Sequence, residues 1–297
     1  MTNKFFVIIL IFNFVGLYTL NQDISELKVQ LTRLEIKKMT RQEIDLKTKV
    51  IAKEMKNKAK AVLSIRCQDS SIPPKVLPKI VDKSVPKETY PKKWHGTAAK
   101  VGNNFVVTVD HIISNSGDEK NRVLPITCSL YQRGKEVGSY DSRMNHYKQI
   151  GQKDISFIQV DFNEDGQEIE KLTPEIYRTL EIGETLVLIT HPKNMINDYL
   201  ITFGMVLNDD AEKILETSRK EYWKNAIITD MMAAPGSSGS PLMTLDGKFI
   251  GIHVGGDRDE LNANYQVVFD TEFYLSYQMY KLFNEKKINK EKTKGEK

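Results

Sequence analysis

Cysteine is scarce in this sequence of 297 residues, which contains only Cys67 and Cys128. Neither cysteine belongs to a Cys-x-x-Cys pair or to a cluster with histidines, so the sequence contains no recognisable zinc site. Two interpretations of the pair remain open at this point. The thiols form a bridge if the protein is exported, or they are two buried free cysteines.

Basic charge is deficient in the central part of the chain, although the whole chain carries a net charge of +4. Residues 94–284 contain 18 Lys and Arg against 27 Asp and Glu, whereas residues 22–60 contain 11 against 6. Residues 285–297 form a basic tail with six lysines and three glutamates. Because an acidic body repels phosphate backbones, we expect no nucleic-acid partner.

A long apolar run occurs at the N-terminus, where Lys4 precedes the run Phe5–Leu20 within residues 1–20. A run of this length suits the core of a signal peptide better than a full membrane span, which needs about 20 residues. No small-x-small cleavage site follows, which favours an uncleaved signal anchor over a cleaved signal peptide. With either interpretation we expect an exported protein, membrane-anchored through this segment or secreted.

Proline and glycine are absent between Asn21 and Ile72, which permits one long helix. Apolar residues in its charged first half recur at helical spacing, at Ile24, Leu27, Leu31 and Leu34. We interpret residues 21–60 as a helical stalk, which is either solvated or forms a short coiled coil between copies of the chain through residues 22–60. The alternative is a single helix that packs on the body.

Half of the chain's ten prolines lie between residues 68 and 93, which predicts a long surface loop. Together with the strand candidate Ala61–Cys67, a series of short apolar runs punctuated by Gly, Asn and Asp predicts an all-β barrel or sandwich. These runs are Phe105–Val109, Leu124–Tyr131, Ile155–Val160, Leu186–Ile189, Leu200–Phe203, Ala226–Thr229, Phe249–Ile252 and Gln266–Phe269. A helical pattern from Thr271 to Phe283 closes the fold.

The segment Ala234–Leu242, with the sequence Ala-Pro-Gly-Ser-Ser-Gly-Ser-Pro-Leu, is the strongest chemical signal. Gly236 and Gly239 bracket Ser238 and permit the tight turn that exposes a nucleophilic hydroxyl group. The backbone N–H groups of Gly236 and Ser238 are then candidates for an oxyanion hole. A flexible Gly-Ser linker is the alternative, but strand-forming residues on both sides argue against it.

A nucleophilic serine needs a base, and His111 is the best-placed histidine because it ends the predicted hairpin Gly96–His111. The remaining histidines lack such a setting; they are His95, His146, His191 and His253. The base needs an orienting carboxylate, for which Asp154 at the start of a strand is the candidate. Asp141 and Asp161 compete with it, but each fits a solvated turn better.

These three segments, in the order His, Asp, Ser, resemble the motifs of the chymotrypsin/trypsin-like serine peptidases, in the compact form of the HtrA-type and glutamyl endopeptidases. The resemblance covers residues 61–284 in pattern. It implies a double β-barrel of six strands each, with an N-terminal barrel at 61–165, a linker at 166–181, and a C-terminal barrel and terminal helix at 182–284. It also implies a serine endopeptidase that hydrolyses polypeptides through an acyl-enzyme, with no metal or organic cofactor.

The same resemblance implies how substrate is held. The backbone of Val254 and Gly255 would pair with an extended peptide by strand addition. His253 would face the primary specificity pocket and donate a hydrogen bond to Glu or Gln before the cut. The alternative is an apolar pocket lined by Met232 and Ala233 that accepts medium-sized apolar residues. Met232 offers no charge for Lys or Arg.

The resemblance also bears on the cysteines. In the implied fold the first and fourth strands of the N-terminal barrel are neighbours. Cys67 ends the first of these strands and Cys128 lies in the fourth, so a disulfide between them is expected.

Two other functional classes were weighed against the enzyme. A protease fold that serves only as a binding module usually has a substituted triad, whereas this sequence retains all three residue types. A membrane-tethered structural protein built on the stalk would explain residues 1–62 and leave the three motifs as coincidence.

Overall fold

The computed structural model describes residues 41–70, 93–114, 126–151, 153–176, 180–193, 198–211, 226–257 and 263–282. The predicted signal segment, the first half of the predicted stalk and the basic tail lie outside these residues. Within the described ranges, no helix is long and apolar enough to cross a membrane. The chain divides into two compact units, Met1–Ala52 and Lys53–Lys297.

Helix α1 covers Arg41–Lys58 and is followed by a 3₁₀ turn at Ala59–Ala61. The part of α1 that belongs to the second unit contains the buried Met55 and an ion pair between Glu54 and Lys58, one helical turn apart. The second half of the predicted stalk is therefore helical in the structure.

The N-terminal half of the second unit forms one antiparallel sheet of eight strands. They are β1 (Val62–Asp69), β2 (Lys93–Lys100), β3 (Phe105–Thr108), β4 (Ile126–Gln132), β5 (Lys135–Asp141), β6 (Tyr147–Gln149), β7 (Ser156–Gln159) and β8 (Asp161–Phe162). Their order is β6-β7-β3-β2-β1-β4-β5-β8. The resemblance implied six strands, and the difference arises because the short strands β6 and β8 extend the two ends of the sheet.

The C-terminal half forms a closed barrel of six strands, as the resemblance implied. They are β9 (Thr185–Thr190), β10 (Leu200–Asn208), β11 (Ala226–Thr229), β12 (Pro241–Thr244), β13 (Phe249–Asp257) and β14 (Ala263–Val268). The order around the barrel is β10-β11-β14-β13-β12-β9. Every second residue of these strands fills the interior, which contains Leu186, Leu188, Val206, Ile227, Leu242 and Ile250.

A helix over residues 271–282, α4, follows the barrel and confirms the predicted C-terminal helix. Its aromatic side chains pack on the first sheet. The ring centroids of Phe157 and Phe273 are 5.3 Å apart, and those of Phe105 and Tyr280 are 5.1 Å apart. Helix α4, which follows the six-stranded barrel, therefore packs on the eight-stranded sheet through these aromatic rings.

The connection between the two sheets begins with helix α3, Glu164–Glu168. The ammonium group of the buried Lys100, in β2, donates to the carbonyl oxygens of Gly166 at 2.6 Å and Gln167 at 3.1 Å. Burial lowers the pKa of Lys100 to about 8. These two hydrogen bonds attach the connection to the first sheet.

Cys67 and Cys128 are joined by a disulfide. The two residues are direct partners in the register of β1 and β4, with Cα atoms 4.0 Å apart. Both side chains are buried beneath the sheet.

Candidate active site

His111 lies in the short helix α2, Asp110–Ser114, which begins two residues after β3 ends. Its Nδ1 atom lies 2.6 Å from Oδ2 of Asp154, and its backbone N–H donates to Oδ1 of the same carboxylate at 2.8 Å. Because a carboxylate accepts hydrogen bonds, Nδ1 carries the proton and Nε2 keeps its lone pair. A general base that receives a hydroxyl proton at Nε2 needs this tautomer.

The pKa of His111 is raised above 6.5. Burial acts in the opposite direction and would lower this pKa. The charge and hydrogen bond of Asp154 and the charge of Asp110 outweigh burial because they favour the imidazolium form.

The two competing carboxylates are bonded elsewhere. Asp141 pairs with Arg143, with Oδ2 and Nη2 2.7 Å apart, and Asp161 accepts a hydrogen bond from Asn145 at 2.9 Å. Of the three candidates, Asp154 is the one hydrogen-bonded to His111.

Asp110 is a buried residue beside the candidate base to which the sequence interpretation gave no role. Its carboxylate is fully buried and accepts hydrogen bonds from three hydroxyl groups, those of Ser156 at 2.8 Å, Ser114 at 2.9 Å and Tyr147. This network fixes the start of α2 and places a second negative charge near His111. The sequence signal was an acidic residue between the apolar Val109 and Ile112.

Ser238 lies in the nucleophile loop, residues 234–240, between β11 and β12. Two tight turns shape the loop, closed by bonds from Ser237 N to Ala234 O at 2.8 Å and from Ser240 N to Ser237 O at 3.0 Å. Gly236 and Gly239 have φ values of +99° and +88°, where a side chain is disfavoured. Ser238 between them is half-buried.

The Pro235–Gly236 peptide is oriented by its carbonyl group, which accepts a hydrogen bond from Lys193 N at 2.8 Å. In a trans peptide the N–H points opposite to the C=O, so Gly236 N–H points away from Lys193. Within the described part of the chain, no hydrogen bond occupies the N–H of Gly236 or of Ser238. Both groups are therefore available to an oxyanion.

Thr97 in β2 connects the first sheet to the nucleophile loop. Its N–H donates to Ser238 O at 2.8 Å, and its hydroxyl group donates to Gly236 O at 2.9 Å. The same hydroxyl group accepts from His191 N at 3.1 Å, while the Thr97 carbonyl accepts from Thr108 Oγ1 at 2.7 Å. The sequence interpretation placed Thr97 in the predicted hairpin Gly96–His111 and gave it no role.

Gly96 lies between helix α2, which contains His111, and the nucleophile loop. A Cβ atom on Gly96 would be 3.0 Å from Ile112 Cγ1 and 3.1 Å from Ser238 O. The side chain of Ile112 and the backbone of Ser238 are therefore both next to Gly96. Among the described residues, no direct hydrogen bond joins Ser238 to His111.

His95 and His191 form a histidine pair next to the Pro235–Gly236 peptide. His95 Nε2 lies 3.1 Å from the carbonyl oxygen of His191, and a Cβ on Gly236 would lie 2.6 Å from His95 Cδ2. Burial lowers the pKa of both imidazoles, so both are neutral at neutral pH. The ring of His95 and the backbone carbonyl of His191 pack against the turn of Gly236, while the ring nitrogens of His191 lie at the carbonyl oxygens of Asp198 and Val62.

The residues assigned to the specificity pocket differ in environment. His253 is buried, and burial lowers its pKa to about 4 against the opposing effect of hydrogen bonding to Gln266 and to the backbone of Tyr265; its Nδ1 has no hydrogen-bond partner among the described residues. It pairs in register with Gln266 of β14. Ala233 packs on the barrel core, whereas Met232 is 70% exposed. The structure thus encloses His253 and Ala233 but not Met232.

Strand β13 extends beyond its neighbour β12. The two strands pair up to Ile252, and His253 N donates to Ser240 O at 2.8 Å. From Val254 onward, the ladder on the β12 side stops, while Gly255 and Gly256 continue to pair with β14. This leaves a strand edge at Val254 and Gly255 next to the nucleophile loop.

Among the described residues, no group of His, Cys, Asp and Glu has the arrangement of a metal site.

The family model described as a trypsin-like peptidase domain matches residues 96–252, more than half of the chain. The chain belongs to the trypsin-like peptidase family. The match includes His111, Asp154 and Ser238, and it confirms the family resemblance seen in the sequence.

A curated protein is also similar to this chain, at low sequence identity. It is 28% identical over 152 residues to "Serine protease Do-like HtrA" of Bacillus subtilis (strain 168), a region that is 51% of this chain and 30% of that protein. The chain thus spans less than a third of the length of this relative.

Two solved structures are similar to this chain at low sequence identity. The structure titled "Crystal structure of Deg5" has a TM-score of 0.52 at 16% identity, covering 77% of this chain and 91% of that one. That titled "Crystal structure of Rv3671c protease, inactive form" has a TM-score of 0.46 at 13% identity, covering 74% and 89%. The likeness to Deg5 shows a shared fold.

Proposed function

We propose that the protein is a serine endopeptidase in which Ser238 is the nucleophile, His111 the general base and Asp154 the carboxylate that orients the base. The observation that carries the proposal is the double hydrogen bond from His111 to Asp154, at 2.6 and 2.8 Å. It fixes the ring and its tautomer beside a serine turn with two unoccupied N–H groups.

The proposed reaction is acyl transfer. Ser238 Oγ bonds to the peptide carbonyl carbon while its proton moves to Nε2 of His111 and the carbonyl π electrons move to oxygen. The N–H groups of Gly236 and Ser238 stabilise this oxyanion. His111 then gives the proton to the leaving amine, the C–N bond breaks, and water hydrolyses the acyl-enzyme by the same steps.

We assign the acyl half of the substrate to the free edge of β13. An extended peptide can add to Val254 and Gly255 because the β12 ladder ends before them. The preferred residue before the cut is Glu or Gln. The support is His253, a buried neutral imidazole whose Nδ1 lacks a partner in the described chain. The apolar pocket remains the competing proposal for this site.

We extend the proposal to location on the basis of the sequence. Residues 1–20 carry the apolar run of a signal anchor, and residues 22–60 carry coiled-coil spacing. We propose an exported peptidase that is membrane-associated and oligomeric through these segments. Recovery of the intact N-terminus in membranes supports the anchor, while a soluble form starting near residue 20 contradicts it.

The triad is tested on the full-length chain with a fluorophosphonate probe and a peptide library. Wild-type protein should label at Ser238 and cut peptides, and Ser238→Ala should abolish labelling and lower turnover by about 10⁶-fold. Wild-type protein that binds peptides but neither labels nor cuts them would indicate a non-catalytic binding module. Full activity in Ser238→Ala would disprove the assignment.

A further inference from the structure

A cavity of about 980 Å³ lies on the first sheet and reaches the nucleophile loop. At its near end it is lined by Lys193, Pro235 and Gly236, and its floor includes Arg66 and His95. The mechanism above does not use this cavity, which we call the outer-face cavity.

The register of the strands shows which face of the sheet forms the floor. Arg66 in β1 is the direct partner of His95 in β2 and of Ser129 in β4. Directly paired residues project to the same face, and the side chains on either side of Arg66, Ile65 and Cys67, are buried on the other. The cavity therefore lies on the outer face of the sheet.

Arg66 supplies an uncompensated positive charge in this cavity. Its guanidinium carbon lies 4.2 Å from the ring centroid of Tyr131. Within the described part of the chain it has no carboxylate partner, and its Nε is buried without a hydrogen bond. Stacking on an aromatic ring leaves the guanidinium edge open to a carboxylate.

The other charges that line the cavity leave it positive. The carboxylate of Asp141 is paired with Arg143, whereas Asp161 keeps its charge and accepts a hydrogen bond from the neutral Asn145, so one lining carboxylate stands against three lining cations. Two lysines, Lys93 and Lys193, also line the cavity and form no ion pair with any described residue. After burial, the charges of Arg66 and Lys193 further lower the pKa of His95, consistent with a positive field beside Gly236.

The position of the cavity indicates which half of a substrate enters it. The acyl half is assigned to Val254 and Gly255 on the second barrel, and neither residue lines the cavity. The cavity instead extends from Gly236, whose N–H faces the attacked carbonyl, across the first sheet. A chain that crosses the site from the β13 edge continues into it.

We infer that the outer-face cavity binds the leaving half of the substrate and selects a carboxylate within its first residues. The inference rests on the proposed function. The carboxylate can come from an Asp or Glu side chain or from the C-terminus of a short leaving peptide. Both sources present the same planar anion to Arg66.

The test uses full-length protein and internally quenched peptides that share the acyl half of the best library substrate. The first two leaving residues are Glu, Gln or Lys, and each peptide ends two residues after the cut as an amide or as a free acid. We expect kcat/KM to be about tenfold higher for Glu than for Gln and lowest for Lys. This order should weaken at about 0.5 M salt.

The sources are distinguished by the peptide ends. A Glu preference among amides assigns the side chain, and a gain from the free acid alone assigns the C-terminus; either result supports the inference. Equal kcat/KM for all amides, with no gain from a free acid, overturns it.

Charge-reversal variants test which residues determine the order of kcat/KM values. Arg66→Glu should reverse the order and favour Lys, and Lys193→Glu should weaken the preference for Glu even if the first variant fails to fold. Arg133→Glu makes the same charge change on an exposed turn that does not line the cavity, and it should keep the wild-type order. An unchanged order in both cavity variants overturns the inference.

Fluorophosphonate labelling distinguishes a failure of the cavity inference from a failure of the proposed function. If Ser238 labels and peptides are cut without regard to charge, the endopeptidase proposal stands and the cavity assignment is wrong. If the wild-type protein neither labels nor cuts, the proposed function is wrong and the cavity inference fails with it.

Discussion

The hydroxyl group of Thr97 donates a 2.9 Å hydrogen bond to the carbonyl oxygen of Gly236, which joins the sheet of the base to the turn of the nucleophile. The backbone N–H of Thr97 makes a second bond across the same boundary, to Ser238 O. Because Thr97 is fully buried, water cannot replace the hydroxyl group if it is removed. The oxyanion turn therefore depends on a side chain from the other half of the molecule.

The first prediction concerns that hydroxyl group. Thr97→Val should lower kcat by about 10- to 100-fold with little change in KM, because the Gly236 turn moves relative to His111. Thr97→Ser keeps the hydroxyl group and should retain most activity. Steady-state kinetics of the two variants decide the matter, and a fully active Thr97→Val would show that the turn is held by other contacts.

The second prediction concerns the charge of Asp110. Its negative charge helps to raise the pKa of His111, so Asp110→Asn should lower that pKa. A base must be neutral to accept a proton, so the acid limb of kcat/KM should move to lower pH. Ser114→Ala removes one hydrogen bond without changing the charge and should leave the limb in place. An unmoved limb in Asp110→Asn would contradict this role.

The proximity of His111 and Asp154 was predictable because each residue stands next to a regular strand. His111 follows the run Phe105–Val109, and Asp154 precedes a strand that pairs with β3 in the sheet. Adjacent antiparallel strands bring the end of one to the start of the other. Two local patterns and one pairing were thus enough to bring the two side chains together.

The roles of Thr97 and Asp110 were not predictable in the same way. Thr97 contacts residues about 140 positions away, through a hydroxyl group whose partners depend on how the two halves meet. Asp110 is stabilised by hydroxyl groups of Tyr147 and Ser156 that no spacing rule connects with it. The exposure of Met232 likewise depends on the path of the loop after β11.

The third prediction uses two glycines with similar backbones. Gly236 and Gly183 have φ values of +99° and +87°, but only Gly236 is crowded, with Lys193 N 2.6 Å from an added Cβ. Gly236→Ala should reduce kcat by about 10²- to 10³-fold because the oxyanion N–H is displaced. Gly183→Ala carries similar backbone strain in open space and should retain activity. Equal activity in both variants would contradict the assigned oxyanion hole.

The fourth prediction concerns the ion pair between Lys153 and Asp270, which attaches the start of α4 beside Asp154. Burial raises the pKa of Asp270, but the hydrogen bond and charge of Lys153 together with the hydrogen bond from the backbone N–H of Phe273 outweigh burial, and the net pKa is lowered. A lowered pKa contributes stability above the unfolded value of about 3.9 that is lost as pH falls through the folded value.

Lys153→Met should therefore destabilise the fold by about 1–3 kcal/mol at neutral pH and flatten the loss of stability on acidification. Urea denaturation at neutral and acidic pH measures both effects. Lys171→Met changes an exposed lysine and serves as the control. The same pH slope in Lys153→Met and wild type would contradict a stabilising role for the pair.

The last prediction concerns the residue before the cut. Because the pKa of His253 is about 4, its imidazole is neutral between about pH 5.5 and 8 and presents one N–H donor. A Glu or Gln side chain can accept that bond, whereas a substrate without an acceptor leaves a buried polar atom unpaired at a cost of about 1–3 kcal/mol. We therefore expect cuts after Glu and Gln, with a Glu-to-Gln ratio that shows no imidazolium-dependent rise toward pH 5.5.

Cleavage sites mapped on a denatured protein mixture provide the measurement. His253→Ala should remove the preference for Glu and Gln, while Met232→Ala, at an exposed side chain, should keep it. If the wild-type enzyme cuts mainly after Val, Leu or Met and His253→Ala leaves that pattern unchanged, the pocket is apolar and His253 serves only to fill the barrel beside Gln266.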